Sequence, residues 1–197
     1  MNIEKNKKIL EKLKNSRIGI AGLGGLGSNA AVSLARAGVG HLILIDFDKV
    51  EKSNINRQYY FFNQIGKQKT NALKENIKKI NPEIKIDAFN IKLKKGSMEK
   101  HFKDVDVIIE ALDDANTKSD FIEEIVLKLP QKPIVAASGV AGYGNSDRIS
   151  TKKFKRLFVV YDEKASSCEE DVLMAPRVAL IANWQANIAI EIILGKV

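Results

Sequence analysis

Apolar residues along the chain fall into short unbroken runs that alternate with longer stretches in which they recur every three or four positions. Residues 17–21 (RIGIA), 41–45 (HLILI, closed by Asp46), 85–89, 105–109 and 134–137 are runs of strand length. Their continuous hydrophobicity suits parallel strands covered on both faces. Between them, residues from the glycine-rich turn through 37, then 67–80 and 117–129, have helical spacing, the last two stopped by Asn81-Pro82 and Pro130. A lysine-rich amphipathic helix over 3–13 precedes the first strand. Residues 148–151 and 157–161 are β-prone, 162–171 (DEKASSCEED) have no periodicity and read as a mobile loop, and 176–194 read as a long apolar helix.

Alternation of strands and helices predicts a Rossmann-like α/β fold. Its sheet is mostly parallel, with helices on both faces and an antiparallel extension near the C-terminus. At 197 residues the chain has room for one domain, 1–197, and not for two of full size. With 45% hydrophobic and 28% charged residues it matches globular proteins, so neither disorder nor a membrane protein is indicated. No run of about 18 apolar residues and no signal-peptide stretch is read. The net charge of +8 and pI of 9.4 come from dispersed lysines with no arginine-rich or aromatic-interleaved patch. A solvated surface is therefore expected rather than a nucleic-acid interface, although a positive field also favours a triphosphate or an acidic protein. The single cysteine, Cys168, excludes an internal disulfide and a paired-cysteine zinc site, and suits a reducing cytoplasm.

Chemistry enters at Gly22-Leu23-Gly24-Gly25-Leu26-Gly27, placed between the first strand and the helix after it. Glycines there let the backbone approach phosphates, and the helix N-terminus presents N–H groups to them. Asp46, roughly 20 residues on at the end of the second strand, is where an acid accepts hydrogen bonds from ribose hydroxyls. Alone, these features fit NAD, FAD or ATP, or a turn that needs glycine only for packing.

Three further stretches narrow the choice: D-x-D-x-V-x-x-S-N-x-N-R-Q from Asp46 to Gln58, Gly66-Lys67-Gln68-Lys69, and Glu110-Ala111-Leu112-Asp113-Asp114. With GLGGLGSN they resemble the ThiF/MoeB/ubiquitin-activating-enzyme family of ATP-dependent adenylyltransferases. The last stretch is similar to that family's D-x-x-D-N. The likeness runs on to Met174-Ala175-Pro176-Arg177. Residues 136–144 (AASGVAGYG) and 173–178 (LMAPRV) are similar to the short ThiF-like proteins (family 2) of thiamine biosynthesis. The resemblance implies adenylation by ATP of the C-terminal glycine of a ThiS-like, ubiquitin-fold sulfur carrier, a homodimer, and a cytoplasmic enzyme. It assigns catalysis to Arg57, Lys69 and Asp113, and Mg²⁺ to Asp113. Nucleotide binding goes to Gly22, Gly24, Gly25, Gly27, Asp46, Asp48, Asn54, Gln58 and Asp114. The chemistry agrees: a carboxylate attacking a phosphate must overcome charge repulsion, so cations and a metal are needed. The alternative reading makes Arg57 and Lys69 surface charges and Asp113 the cap of a helix starting near Asn116.

Some departures from the pattern matter. Family members that set an arginine of the partner's N-terminal segment on ATP carry R-x-x-R-Q, whereas the first arginine here is Arg17. A lysine substitutes or phosphate contacts weaken, and turnover is expected to be slow. Glu169, Glu170 and Asp171 disfavour a Cys168 thiolate, so an incidental cysteine is expected, with a catalytic one as the alternative. His41 and His101 lack a serine or cysteine partner, and Trp184 belongs to the core or a dimer contact. The rival functions are a non-catalytic ATP- or carrier-binding module, an NAD-dependent oxidoreductase, and a relative acting on transfer RNA.

Overall fold

The computed structural model describes residues 3–165 and 172–197. Seven strands form one sheet in the order β3-β2-β1-β4-β5-β7-β6. The strands are β1 (Arg17–Ala21), β2 (His41–Asp46), β3 (Lys85–Asn90), β4 (Val107–Glu110), β5 (Ile134–Ser138), β6 (Ser150–Phe154) and β7 (Leu157–Tyr161). The helices are α1 (Ile3–Lys14), α2 (Gly25–Ala37), α3 (Lys69–Ile80), α4 (Ala115–Lys128) and α5 (Ala175–Leu194). Every pairing is parallel except β6 with β7, so the expected antiparallel extension is a single edge strand.

Alternation along the strands divides the core in two. Ile18, Ile20, Leu42 and Leu44 face α2, α3 and α5, whereas Ala21, Ile43, Ile45 and Ile108 face Phe121 and Ile125 of α4 and the short 3₁₀ segment Met98–Phe102. Gly19 belongs to the second face, where a β-carbon would stand 2.5 Å from Phe102 Cδ1. The missing side chain lets that ring, which stacks edge-on with Phe121, lie against β1.

Several boundaries move for reasons a single segment does not carry. The helix expected over 67–80 begins at Lys69, because residues 67–69 are tied to the loop after β2: Lys67 N donates to Gln64 O and Lys69 N to Asp48 O. The strand expected over 148–151 starts at Ser150 and runs through Lys152 and Lys153, while Ser146–Arg148 is a 3₁₀ turn. Pairing with β7 overrides the low strand propensity of lysine, and lysines on an edge discourage further strand addition. Among the described residues α5 is long and apolar enough to cross a bilayer by length and composition, which corrects the expectation of no such stretch. Here it is a core helix, burying Val178, Ile181, Ala182, Ala186 and Ala189 beside the fully buried Gln185. Of the expected loop 162–171, residues 166–171, with Cys168, lie outside the described residues.

The α4 face holds a buried polar junction. Glu124 accepts hydrogen bonds from Gly96 N (2.6 Å) and Met98 N (2.9 Å) and lies 2.9 Å from Lys128 Nζ. Burial pushes its carboxyl up, but Lys128 and the two N–H groups outweigh this and hold it at about 2. A depressed carboxyl stabilises the fold above its unfolded pKa of about 4.3 and loses that contribution as pH falls toward the folded value. Glu124→Gln is therefore expected to cost about 1–3 kcal/mol at neutral pH and to flatten the pH dependence below pH 4.5. Urea unfolding of both proteins from pH 2.5 to 7 measures this, and parallel curves would refute the assignment.

Candidate functional site

The chain runs from β1 outward to β3, then returns to lay β4 on the other side of β1, so the connections diverge above the C-terminal ends of β1 and β4. Such a divergence opens a crevice in a parallel sheet. A cleft of about 760 Å³ lies there, walled by the glycine turn, the ends of β2 and β4, Arg57, Lys69 and Leu173.

Geometry explains two of the glycines. Gly22 has φ +88° and its absent β-carbon would meet Ala111 O at 2.5 Å, so the turn crosses directly over the end of β4. A β-carbon on Gly27 would stand 1.9 Å from Gly22 O, which brings the first turn of α2 against the end of β1. Gly24 and Gly25 line the cleft. Gly24, the N-cap of α2, makes no side-chain capping bond, leaving first-turn N–H groups to serve a ligand.

Asp46 is nearly buried and does more than await a ribose. Its Oδ2 accepts from Leu23 N and its Oδ1 from Asp48 N, both at 2.7 Å, bracing the glycine turn to β2. Burial raises its carboxyl pKa, opposed by Lys69 and the two N–H groups. Each carboxylate oxygen keeps a lone pair for a ligand hydroxyl. Asp48 Oδ2 lies 2.7 Å from Lys69 Nζ, so the buried lysine is held at the cleft wall by a partner from the β2 loop.

Arg57 lines the cleft, its Nη1 donating to Ser53 O (3.0 Å) and Asn56 Oδ1 (2.9 Å). Gln58 is buried beside it, and among the described residues its Oε1 has no hydrogen-bond partner. Asn54 is not brought to the cleft wall. Its Oδ1 accepts from Glu51 N at 3.0 Å and closes the 3₁₀ turn Lys52–Asn54. Sequence reasoning missed what clamps this segment to α2 and the glycine turn. Asn29 Nδ2 donates to Arg57 O (2.9 Å), Ser28 Oγ accepts from Tyr59 N (3.0 Å), and Tyr60 OH donates to Leu23 O (2.8 Å). The signal was Ser28-Asn29 directly after the last glycine of the turn.

Across the cleft, Asp113 is exposed, and among the described residues its Oδ1 accepts only from Asp114 N, at 2.9 Å. The helix cap falls to Asp114 instead, which accepts from Thr117 N at 2.7 Å and Thr117 Oγ1 at 2.6 Å; α4 starts at Ala115. The capping alternative for Asp113 is thereby corrected, and Asp114, though in the cleft lining, has its Oδ1 committed to that cap. Among the described residues no three His, Cys, Asp or Glu side chains gather to hold a metal. Mg²⁺ fits such a site only as an ion completed by ligand phosphates, with Asp113 as its protein oxygen.

Other candidates separate from the cleft. His41 Nε2 lies 2.8 Å from Asp87 Oδ2, and the His101 ring stacks on Phe89. Trp184 packs, partly buried, on the core. Arg177 is buried, with Nη2 2.6 Å from Asp162 Oδ2 and Nη1 donating to Gly144 O, joining α5 to the loop after β5. A second concavity, about 630 Å³, lies between α1 and the end of α5. Two of its polar groups already serve the backbone: Ser16 Oγ donates to Leu13 O, and Asp106 Oδ2 accepts from Arg17 N.

Comparison with known proteins agrees with this geometry. The sequence profile of the ThiF family matches residues 2–197. The chain is 30% identical over 190 residues to the molybdopterin-synthase adenylyltransferase of Escherichia coli, covering 94% of this chain and 76% of that protein. It is 30% identical over 191 residues to the sulfur carrier protein ThiS adenylyltransferase of the same organism, covering 94% and 75%. In fold it is similar to the E. coli tRNA N6-threonylcarbamoyladenosine dehydratase solved in complex with ATP. There the TM-score is 0.87 at 22% identity, over 96% of this chain and 90% of that one.

Proposed function

The chain belongs to the ThiF family, whose members are ATP-using adenylyltransferases, and on that premise we propose that it activates the C-terminal glycine of a ThiS-like sulfur carrier for thiamine thiazole formation. The observation that carries this reading is the arrangement of the cleft. A glycine turn at the N-terminus of α2 shares the cleft lining with Arg57, Lys69 and an exposed Asp113. Family membership decides against the alternative of a hydride-transfer enzyme.

In this reading ATP lies with its phosphates at the N-terminus of α2 and its ribose at Asp46. The carrier's Gly-Gly tail enters over the glycine turn, where Val140, Leu173 and Val178 supply an apolar lining. Its carboxylate attacks the α-phosphate, forming the acyl–phosphate bond as the bond to pyrophosphate breaks. Arg57 offers a planar fork and Lys69 a point charge to the phosphate oxygens, reducing repulsion between two anions and stabilising the leaving pyrophosphate. Asp48 keeps the Lys69 ammonium at the wall before substrate arrives. When bound, Mg²⁺ supplies further charge neutralisation on the phosphates, and Asp113 is the residue that would hold it.

Purified protein incubated with Mg-ATP, radiolabelled pyrophosphate and either a ThiS-like or a MoaD-like carrier tests the assignment. Label is expected to enter ATP only with the ThiS-like carrier. Exchange with the MoaD-like carrier alone would transfer the assignment to molybdopterin synthesis. ATP binding without exchange on either carrier would leave a nucleotide-dependent binding module.

A further inference from the structure

The cleft has two ends of different character. At the α2 end are the glycine turn, Arg57 and Gln58. At the other end Ile91, Leu93 and Leu112 line it, and the last two pack on the α4 core. Asp46 stands between. A nucleotide with its phosphates at α2 and its ribose at Asp46 therefore directs its base toward α4, and this inference rests on that placement.

At this apolar end sits one ion pair whose purpose packing does not supply. Glu110, the last residue of β4, has no solvent exposure. Its Oε1 accepts from Leu112 N at 2.8 Å, bracing the turn that carries Asp113, and its Oε2 lies 2.5 Å from Lys118 Nζ. Gln185 of α5 reaches between the strands from behind and donates Nε2 to Glu110 O and Val135 O, both at 3.0 Å, fixing the strand end. Lys118 keeps 24% of its side chain exposed, within the cleft lining. A fully buried carboxylate with a lysine partner is costly, and an apolar pair would pack as well or better. An ammonium carries three donors, and the bond to Glu110 uses one.

We propose that Lys118 is a specificity-determining residue that donates a hydrogen bond to a ring nitrogen of the bound purine, and that Glu110 is the positioning residue that aims it. The apolar side chains cover the faces of the base, and the ammonium reads its edge. Glu110 thus couples two parts of the site through its two oxygens, the base contact through Lys118 and the Asp113 turn through Leu112 N.

Calorimetric titration separates base from phosphate contacts. The probes are Mg-ATP, Mg-tripolyphosphate, and the 1-deaza, 3-deaza and 7-deaza analogues of ATP, each against the wild type, Lys118→Met, Lys118→Arg and Glu110→Gln. Lys118→Met is expected to weaken ATP about tenfold or more while tripolyphosphate stays within about twofold. One deaza analogue should bind the wild type correspondingly weakly and suffer no further loss in Lys118→Met. Lys118→Arg should recover part of the ATP affinity. Glu110→Gln retains an acceptor for Leu112 N, and should lose ATP affinity with tripolyphosphate unchanged. Equal losses of ATP and tripolyphosphate, or ATP bound by Lys118→Met as tightly as by wild type, would overturn the proposal alone. A wild-type chain that bound no ATP would overturn it together with the adenylylation reading.

Discussion

Alanine at Asp113 is expected to reduce carrier-dependent ATP–pyrophosphate exchange by about 10²- to 10³-fold while moving the melting temperature by no more than about 2 °C. The separation of the two effects follows from the geometry. Asp113 is exposed, and its one hydrogen bond among the described residues runs to the next residue's N–H, so little of the described fold depends on it. Capping of α4 remains with Asp114, and bracing of the turn remains with Glu110. What is lost is a carboxylate in the cleft that Arg57 and Lys69 also line, and with it the oxygen proposed to hold a phosphate-bound cation. Arg57→Ala should fall in the same range, since among the described residues its guanidinium bonds only to Ser53 O and Asn56 Oδ1 of its own loop. An exchange rate within threefold of wild type in both variants, with ATP still bound, would defeat the assignment of these two residues to the reaction.

The second large effect is on the fold. Gly27→Ala adds one carbon, yet that carbon would stand 1.9 Å from Gly22 O, 3.0 Å from Gly22 C and 3.2 Å from Ile20 Cγ2. Two of these atoms are backbone, so relief requires α2 to move away from β1. The expected cost is about 3 kcal/mol or more, or a fall of about 6–12 °C in melting temperature for a chain of this size. Because the N-terminus of α2 moves with it, ATP affinity should fall as well. Gly24→Ala is the control: its nearest contact would be Gln58 Nε2 at 3.8 Å, an ordinary van der Waals distance, and stability should change by less than about 1 kcal/mol. Differential scanning calorimetry of the two variants decides the matter. A Gly27→Ala protein that melted with the wild type would mean that the close approach of α2 to β1 is not required.

The strands, the helices, the glycine turn and the acid at the end of β2 were legible in the chain because each rests on spacing within about ten residues or on a turn that only glycine makes. The polar pattern from Asp46 to Gln58 and the pair Asp113-Asp114 were legible too, through their resemblance to a family. Strand boundaries failed where pairing overruled propensity. At Lys152 and Lys153, an edge position beside β7 turned a basic stretch into β6.

The partnerships inside the site were not legible. Asp46 proved to be a brace for Leu23 N as well as a ribose candidate, Lys69 is seated by Asp48, and Asn54 spends its side chain on its own turn. Lys118 and Gln185 carry no local signature, and they meet Glu110 only because β4 lies beside β1 and β5 with α5 behind them. Hydrophobic period and glycine placement act over neighbouring residues, so the order of residues alone determines them. A hydrogen bond between Gln185 and Glu110 spans 75 positions, and strand order and helix packing decide whether the two groups meet.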